Sequence, residues 1–465
     1  MIDDSGYVWW GWWAKAWERI PTSDEWQQIS THVEGRPEIG LFDRRSLRYY
    51  LAVATDLRRS TDSDARIPSP EPSATPHYYS DDYFPVWFRL ESIRETSEVE
   101  FRSTFGFVPM AEDQTLFWED SSDPPEQDLV EVIRTASSSV LHISDLHFGE
   151  DFGFSGSESP YGQSTLDQII ARYLRDARTD IGVVVVSGDL ITRGMERHYR
   201  DVTAFLDLLL SQLGLSRNHV VVVPGNHDLW LDDASNFTYS HDYKHELGYR
   251  TWYGQFFNES DANLKLERVK LYDCADGMSL GFLQVNSARL RERETMEFGF
   301  VGSHRYIELL KVLSEIERDR ICRMFVLHHH LIPVPGTEGF GSGRPISVTV
   351  DSGRIIEDLQ RYGIDLVLHG HQHLPFLGSV SRRSLNEYGL ADGHLYHLYV
   401  LGAGSAGAKA DRLTPELRVN AFGLYSFVGD EMTAVFVEIT PGGNARRTGE
   451  ARIPVRGLMA LPSDG

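Results

Sequence analysis

A chain of 465 residues exceeds the usual size of one hydrophobic core, so two domains are expected, and a hydrophobic fraction of 41% places them in the soluble globular class. The formal net charge of −23 argues against a large non-specific grip on nucleic acid, because phosphate neutralisation needs Lys and Arg, although a local basic groove stays open. Two cysteines without CxxC spacing, Cys274 and Cys322, argue against a disulfide framework and for a reducing cytoplasm. No apolar run approaches the roughly 20 residues of a membrane span, and the opening Met1-Ile-Asp-Asp-Ser5 lacks the basic start of a secretory leader.

Composition divides the chain near residue 135. Residues 1–135 are aromatic and acidic: Trp9, Trp10, Trp12, Trp13, Trp17 and Trp26 all fall before residue 27. Acidic residues outnumber basic ones there by roughly two to one, so the segment carries about half of the negative charge. Ile39–Phe42, Arg48–Val53, Val86–Leu90 and Val99–Arg102 read as short strands, and the proline-rich stretch Ile67–Pro76 reads as a loop. A small β-rich domain is expected, with Ser121–Glu126 as a linker to a second domain over 136–455. The run Tyr7–Trp13 is either an aromatic pocket for a base or methylated group, or the core of a small β-domain poor in aliphatics. The core reading is preferred, because Trp carries a large burial payload.

From residue 138 apolar strands alternate with helical periodicity. Val140–Ile143, Ile181–Val186 and Val220–Val223 predict strands, and Leu166–Ala177 and Val202–Leu213 predict helices between them. Continuously apolar strands in β-α-β order imply a parallel sheet covered on both faces, with its site at the carboxyl ends of the strands. The tyrosine-rich stretch within 229–300 predicts an inserted group of helices and loops that caps the site. Strands resume at Ser279–Val285, Met324–Leu327 and Ile364–Leu368, with a helix over Gly353–Tyr362. Further strands are expected over 396–454, followed by a loose tail.

Five short motifs follow these strands: Asp145-Leu-His147, Gly188-Asp189, Gly225-Asn226-His227-Asp228, His328-His329-His330 and Gly370-His371-Gln372-His373. Any single one is weak evidence, since a lone Asp at a strand end is usually a turn former. Together they offer more carboxylate and imidazole ligands than one ion can use. Two divalent ions need a shared anionic bridge plus separate ligands, and Asp and His supply oxygen and nitrogen suited to Mn, Fe, Zn or Ni. At strand ends, residues i and i+2 point the same way, so Asp145 with His147 can serve one ion. Asp189 is the natural bridge and Asn226 a neutral oxygen ligand. This is the reading of a two-metal hydrolase.

Order and spacing of the motifs resemble the calcineurin-like metallophosphoesterase superfamily over roughly residues 138–440, nearest to its class III cyclic-nucleotide phosphodiesterase-like branch. The resemblance implies an α/β fold, a four-layer α/β/β/α sandwich with two central sheets, preceded here by the β-rich domain. It further implies one ion held by Asp145, His147, Asp189 and His373, and a second by Asp189, Asn226, His328 and His371. His328 is preferred within the triplet because it directly follows its strand; His329 is the alternative, and His330 lines the pocket or is exposed. By the same resemblance, phosphorus is attacked in line by a metal-bridging hydroxide. His227 donates a proton to the leaving oxygen or stabilises transition-state charge, and Asp228 orients that imidazole. Asp228 could equally cap a helix ahead of Leu229-Trp-Leu231. Arg193, spaced as the phosphate-contacting arginine of protein serine/threonine phosphatases but preceded by Thr192 instead of Asp, is a candidate substrate-binding residue beside His329.

The implied activity is metal-dependent phosphoester hydrolysis, with Mn or Fe first and Zn or Ni also suited. A phosphodiesterase acting on cyclic or other small nucleotides leads. A nuclease sharing this metal core and a protein or other phosphomonoester phosphatase are the alternatives, and no membrane partner is expected. A scaffold that has lost its metals fits poorly, since no ligand is missing. In composition alone, the N-terminal segment resembles compact PUA- and EVE-like readers of modified nucleotides.

Overall fold

The computed structural model describes residues 6–12, 21, 23–43, 48–60, 66–77, 80–105, 130–154, 159–193, 195–229, 243–259, 264–290, 295–302, 305–334, 347–385, 391–413 and 419–455. Trp13, Trp17, the linker Ser121–Glu126 and the C-terminal tail lie outside them. The chain forms two compact units, one from residues up to Asp123 and one whose described residues begin at Val130.

The first unit contains β1 (Val8–Trp12), α1 (Ser23–Glu34), β2 (Glu38–Asp43), β3 (Arg48–Arg59), β4 (Ile67–Pro68), β5 (Tyr83–Phe84), β6 (Val86–Thr96) and α2 (Glu98–Phe105). Its antiparallel sheet runs β1-β6-β3-β2, with β4 and β5 paired separately. Period-two alternation along β1 sends its tryptophans to opposite faces. Trp12 packs with Trp26, Ile29 and Val33 of α1 over Ala52, Val86 and Phe88, and Trp9 packs with Phe84 and Trp87 on the other face. Trp9, Trp12 and Trp26 are thus core residues.

One expectation here fails. Val99–Arg102 is not a strand but part of α2. Ser97 and Glu100 stand in capping-box spacing, and the Ser97 hydroxyl accepts the Glu100 N–H at 3.1 Å, which starts a helix. Phe101 and Phe105 then stack one turn apart at 4.8 Å, a helical spacing hidden inside an apparently alternating stretch.

The second unit continues with β7 (Val130–Thr135), β8 (Val140–Ile143), α3 (Leu166–Ala177), β9 (Val183–Val186), α4 (Tyr199–Leu213), β10 (Val220–Val222), α5 (Tyr243–Phe257), β11 (Arg268–Cys274) and β12 (Ser279–Gln284). It ends with α6 (Arg305–Glu315), β13 (Ile321–Val326), α7 (Ser352–Arg361), β14 (Leu366–His369), β15 (Pro375–Leu385), β16 (Ala391–Ala403), β17 (Asn420–Val428), β18 (Glu431–Thr440) and β19 (Asn444–Pro454). One six-stranded sheet has the order β10-β9-β8-β17-β18-β19, and a seven-stranded sheet has the order β15-β16-β14-β13-β12-β11-β7. The strands β8, β9 and β10 are mutually parallel, as are β12, β13, β14 and β16.

The apolar strands explain the layering. Val183 and Val185 face an inter-sheet core with Phe282, Met324, Val326 and Leu368. Val184 and Val186 face outward onto Ile169, Ile170, Leu206 and Leu209 of α3 and α4. The seven-stranded sheet buries its own outer face, including Phe325 and Val367, under Leu309, Leu313, Ile355 and Leu359 of α6 and α7. The result is the four-layer α/β/β/α sandwich. Cys274 and Cys322 are unpaired and buried in the inter-sheet core, where burial pushes the Cys274 thiol up to about 12 and Cys322 well above its ordinary value.

Two elements differ from expectation. Strand β7 pairs in parallel with β11, so Val130–Thr135 belongs to the second unit, not to the aromatic segment ending at 135. Within the stretch 229–300, α5 and β11 do not cap the site. Tyr249, Trp252, Tyr253 and Phe256 of α5 are buried in the outer layer of the six-stranded sheet, and β11 is an interior strand. Strand β11 has no unbroken apolar pattern because it carries Lys270, which is fully buried. No described helix is long and apolar enough to cross a membrane.

Candidate metal centre

Each motif occupies the loop that leaves a strand. Asp145 and His147 follow β8, Asp189 follows β9 and Asn226 follows β10, all on the six-stranded sheet. His328 follows β13, and His371 and His373 follow β14, on the seven-stranded sheet. Among the described non-glycine residues, eight have positive φ: Arg36, Asp145, His147, Arg178, Asp189, Asn258, His371 and His373. Five of these belong to the motifs, so the loops hold sterically disfavoured backbone where the site is built. Glycines let the two sheets' loops meet. Gly188 has φ +96°, and a Cβ there would lie 2.5 Å from His328 Nδ1; one at Gly370 would lie 2.6 Å from Asp145 Oδ2.

All seven expected ligands converge. His373 Nε2 lies 3.2 Å from Asp145 Oδ1 and 3.1 Å from His147 Nε2, which in turn lies 3.8 Å from Asp189 Oδ2. His328 Nε2 lies 3.1 Å from Asn226 Oδ1 and 3.5 Å from Asp189 Oδ1. The ring of His371 stands 5.1 Å from that of His328, and its backbone N–H donates to Asp145. Asp189 therefore faces imidazoles on both sides.

The hydrogen bonds behind the rings fix their tautomers. His328 Nδ1 donates to the Ser187 carbonyl at 2.7 Å, and His373 Nδ1 donates to the Arg412 carbonyl at 2.9 Å. A carbonyl only accepts, so each neutral ring presents its lone pair at Nε2, toward carboxylate, amide and imidazole acceptors. These Nε2 atoms stand 3.1–3.5 Å from carboxylate and amide oxygens and from a second imidazole, gaps that protons bridge in the metal-free site and that a divalent ion can take over. With metal–ligand bonds of about 2.1 Å, neighbouring ligand atoms sit roughly 3–3.5 Å apart, which is the spacing seen here. The donor set fits divalent ions.

Charge in the cluster follows from burial opposed by ion pairing. Burial pulls His147 down to about 4 and His371 well below the usual imidazole value, so both rings are neutral and able to ligate. Burial also works against His328, but Asp189 and Asp145 raise it to about 9. Burial opposes ionisation of Asp145 and Asp189 as well, yet the histidines around them hold both below the ordinary carboxylate range.

Residues 138–375, just over half of the chain, match the Calcineurin-like phosphoesterase family. The chain belongs to the calcineurin-like phosphoesterase family. Residues 1–128 match the Pua-like family, so a β-rich Pua-like unit precedes the phosphoesterase domain. A 92-residue stretch is 33% identical to the uncharacterised metallophosphoesterase-like protein YydB of Bacillus subtilis; it spans 20% of this chain and 18% of that protein. Among solved structures, a purple acid phosphatase from yellow lupin aligns over 92% of this chain and 68% of its own, with 14% identity and a TM-score of 0.46. A 5'-nucleotidase-like protein from Staphylococcus aureus aligns over 68% of this chain and 54% of its own, with 14% identity and a TM-score of 0.34.

In this calcineurin-like phosphoesterase the cluster floors a cleft of about 350 Å³, lined by His147, Asp189, His227, His371 and His373 with Arg193, Arg412, Asp151, Glu297, Ser347 and Gln372. The His227 ring lies edge-on to His147 at 4.9 Å, and the His227 backbone N–H donates to Asp189 Oδ1 at 2.8 Å. Burial, with His147 and Arg193 adding, lowers this ring to about 3 against the pull of Asp189. Its Nδ1 has no hydrogen-bond partner. Asp228 does not orient it. The Asp228 carboxylate accepts the N–H groups of Leu190 and Gly225 at 2.8 Å and of Ile191 at 3.2 Å, tying the loop after β9 to the loop after β10. Burial and the charge of Asp189 push Asp228 up to about 8, against those donors. Asn226–Leu229 form a turn, and the helix that Asp228 was expected to cap falls outside the described residues.

His329 sits behind the centre. Its Nδ1 lies 3.0 Å from the Ser287 hydroxyl and its ring 4.6 Å from that of His371; it also belongs to a His328–His329–His371 group whose nitrogens lie within 4.8 Å of one another. His330 is fully buried, not exposed. Arg193 lines the cleft wall 3.9 Å from Glu297. Sequence reasoning missed Arg412, Asp151 and the loop after β16. There Gly407 and Ala406 donate to the Asp145 and Ser144 carbonyls and the Ser405 hydroxyl to the Asp145 carbonyl. The small-residue run Gly402-Ala-Gly-Ser-Ala-Gly407 was the available signal, since only small residues let a backbone approach this closely.

Proposed function

We propose that this chain is a dinuclear metal-dependent phosphodiesterase acting on cyclic or other small nucleotides. The observation that carries the reading is the convergence of imidazole Nε2 and carboxylate oxygens on either side of Asp189. We assign one ion to Asp145, His147, Asp189 and His373 and the other to Asp189, Asn226, His328 and His371. The mixed oxygen–nitrogen set suits Mn or Fe first and admits Zn or Ni. Bound there, such ions supply Lewis acidity toward phosphoryl oxygens and make water a better nucleophile near neutral pH.

The chain's own groups divide the remaining work. His227 projects over the His147 side and stabilises charge on the leaving oxygen. Asp228 holds the two ligand-bearing loops together, acting through Asp189 and Asn226. Arg193 contacts the phosphate from the wall. Both cleft arginines face carboxylates, Arg193 with Glu297 at 3.9 Å and Arg412 with Asp151 at 3.0 Å. Beyond the ions the cleft therefore carries little excess positive charge, which suits a singly charged diester better than a doubly charged monoester. Its volume is at the small end of the roughly 300–1,000 Å³ typical of small-molecule sites, favouring a nucleotide over a nucleic-acid strand. Two unpaired cysteines accord with a reducing, cytoplasmic location. A monoesterase is the second reading, favoured by the closeness of Arg193 to His227.

The test is turnover with added Mn²⁺ of bis-p-nitrophenyl phosphate against p-nitrophenyl phosphate. Wild type should prefer the diester, and Asp189→Ala should abolish turnover. His227→Ala should keep its metal and lose turnover by roughly 10²–10⁴-fold. Preference for the monoester moves the assignment to a phosphatase. Metal loss in His227→Ala makes that residue a ligand.

A further inference from the structure

We infer that Arg412 is a specificity-determining residue that binds a second phosphate of the substrate, beyond the phosphoester being cleaved; this rests on the diesterase reading above. Three observations place it. The Arg412 carbonyl accepts the Nδ1 proton of His373 at 2.9 Å, so its backbone is fixed against the metal centre. Its N–H donates to the Lys409 carbonyl at 2.9 Å, closing a turn that holds this position. Its side chain, 60% exposed, lines the cleft, with Nε donating to Asp151 Oδ1 at 3.0 Å.

That ion pair is a latch that a phosphate can open. An exposed arginine–carboxylate pair is weak in water. A phosphate offers the guanidinium two parallel charge-assisted hydrogen bonds and more charge than a carboxylate. Exchange of partner is therefore favourable for a phosphate and not for a neutral or weakly anionic group. Asp151 is itself built in: its N–H donates to the Thr192 hydroxyl at 3.2 Å and its carbonyl accepts from Lys409 at 2.8 Å. When the guanidinium leaves, Asp151 stays. The latch thus costs binding, and it repels anions unable to claim Arg412. Arg193 lines the same cleft and acts on His227, where the reading above places the leaving oxygen. Arg412 lies on the His373 side, where the rest of the substrate extends. The substrate class that uses both is a nucleotide diester carrying a terminal phosphate.

Because it is the Arg412 carbonyl that holds His373, changing the side chain separates recognition from that support of the metal centre. The measurement is steady-state kinetics of wild type, Arg412→Gln, Arg412→Lys and Asp151→Asn on the dinucleotides TpT and pTpT, with metal content determined for each. The 5'-phosphate should lower KM for wild type at least tenfold. Arg412→Gln should erase most of that advantage through KM, with kcat moved less than threefold, and Arg412→Lys should restore part of it. Asp151→Asn, which opens the latch, should lower KM for pTpT. Loss of metal in Arg412→Gln, equal losses on both dinucleotides, or parallel losses in Asp151→Asn would overturn the inference in favour of a structural pair. If wild type cleaves bis-p-nitrophenyl phosphate and TpT but gains nothing from the 5'-phosphate, the inference alone falls. If it cleaves none of the three with metal bound, the diesterase reading falls and takes the inference with it.

Discussion

Three backbone N–H groups end on one buried carboxylate. Asp228 accepts from Leu190, Ile191 and Gly225, and those donors flank the ligands Asp189 and Asn226 on two different loops. Replacing it with Ala would orphan all three inside the protein, at on the order of 3 kcal/mol. Asp228→Ala should therefore destabilise the metal-free protein by that amount in urea unfolding and weaken metal retention. If stability is unchanged and only the pH–rate profile moves, Asp228 works on His227 instead. At this scale the ligands were legible because their chemistry is local: Asp145 with His147 and His371 with His373 declare themselves by spacing. The partners behind them were not. Ser187 and Arg412 hold the rings through backbone carbonyls, and a carbonyl leaves no mark on the residue type that carries it.

Strand β11 shows what sequence patterning hides. Lys270 is fully buried, with its ammonium 3.1 Å from the Val220 carbonyl, 3.4 Å from Glu131 and 4.3 Å from the centre of the Phe257 ring. Burial lowers its pKa from 10.5 to about 8, against the pull of Glu131. Between those values the unfolded chain binds more protons than the folded one. Stability from this group is therefore fully present above the unfolded pKa and is lost as pH falls through the folded one, with a total of roughly 3 kcal/mol. The stability difference between wild type and Lys270→Met should shift by about that amount in favour of wild type from pH 7.5 to 10.5, read by urea unfolding. A pH-independent difference would show that Lys270 stays charged in the fold. Elements with unbroken apolar faces, such as Val183–Val186 and Leu166–Ala177, were readable from periodicity. Strand β11 and helix α2 were not, because one buries a charge and the other mimics alternation.

For the whole phosphoesterase unit, the site belongs to neither sheet alone. Asp145, His147, Asp189 and Asn226 come from the six-stranded sheet, and His328, His371 and His373 from the seven-stranded one. Ions held by both sets would join the sheets as well as serve the chemistry. At a hundredfold excess over Kd each would add about 2.7 kcal/mol of apparent stability. Chelation should therefore lower Tm. Asp145→Ala and His328→Ala, one from each sheet, should each remove most of the metal-dependent increment. An increment that survives either change would place the ions elsewhere. The two thiols give this joint a reporter of its own. Cys274 and Cys322 lie between the sheets, unpaired and held as unreactive thiols. They stay silent toward an alkylating reagent while the sandwich is closed, so the pace at which they are marked becomes a clock for how often its two halves part.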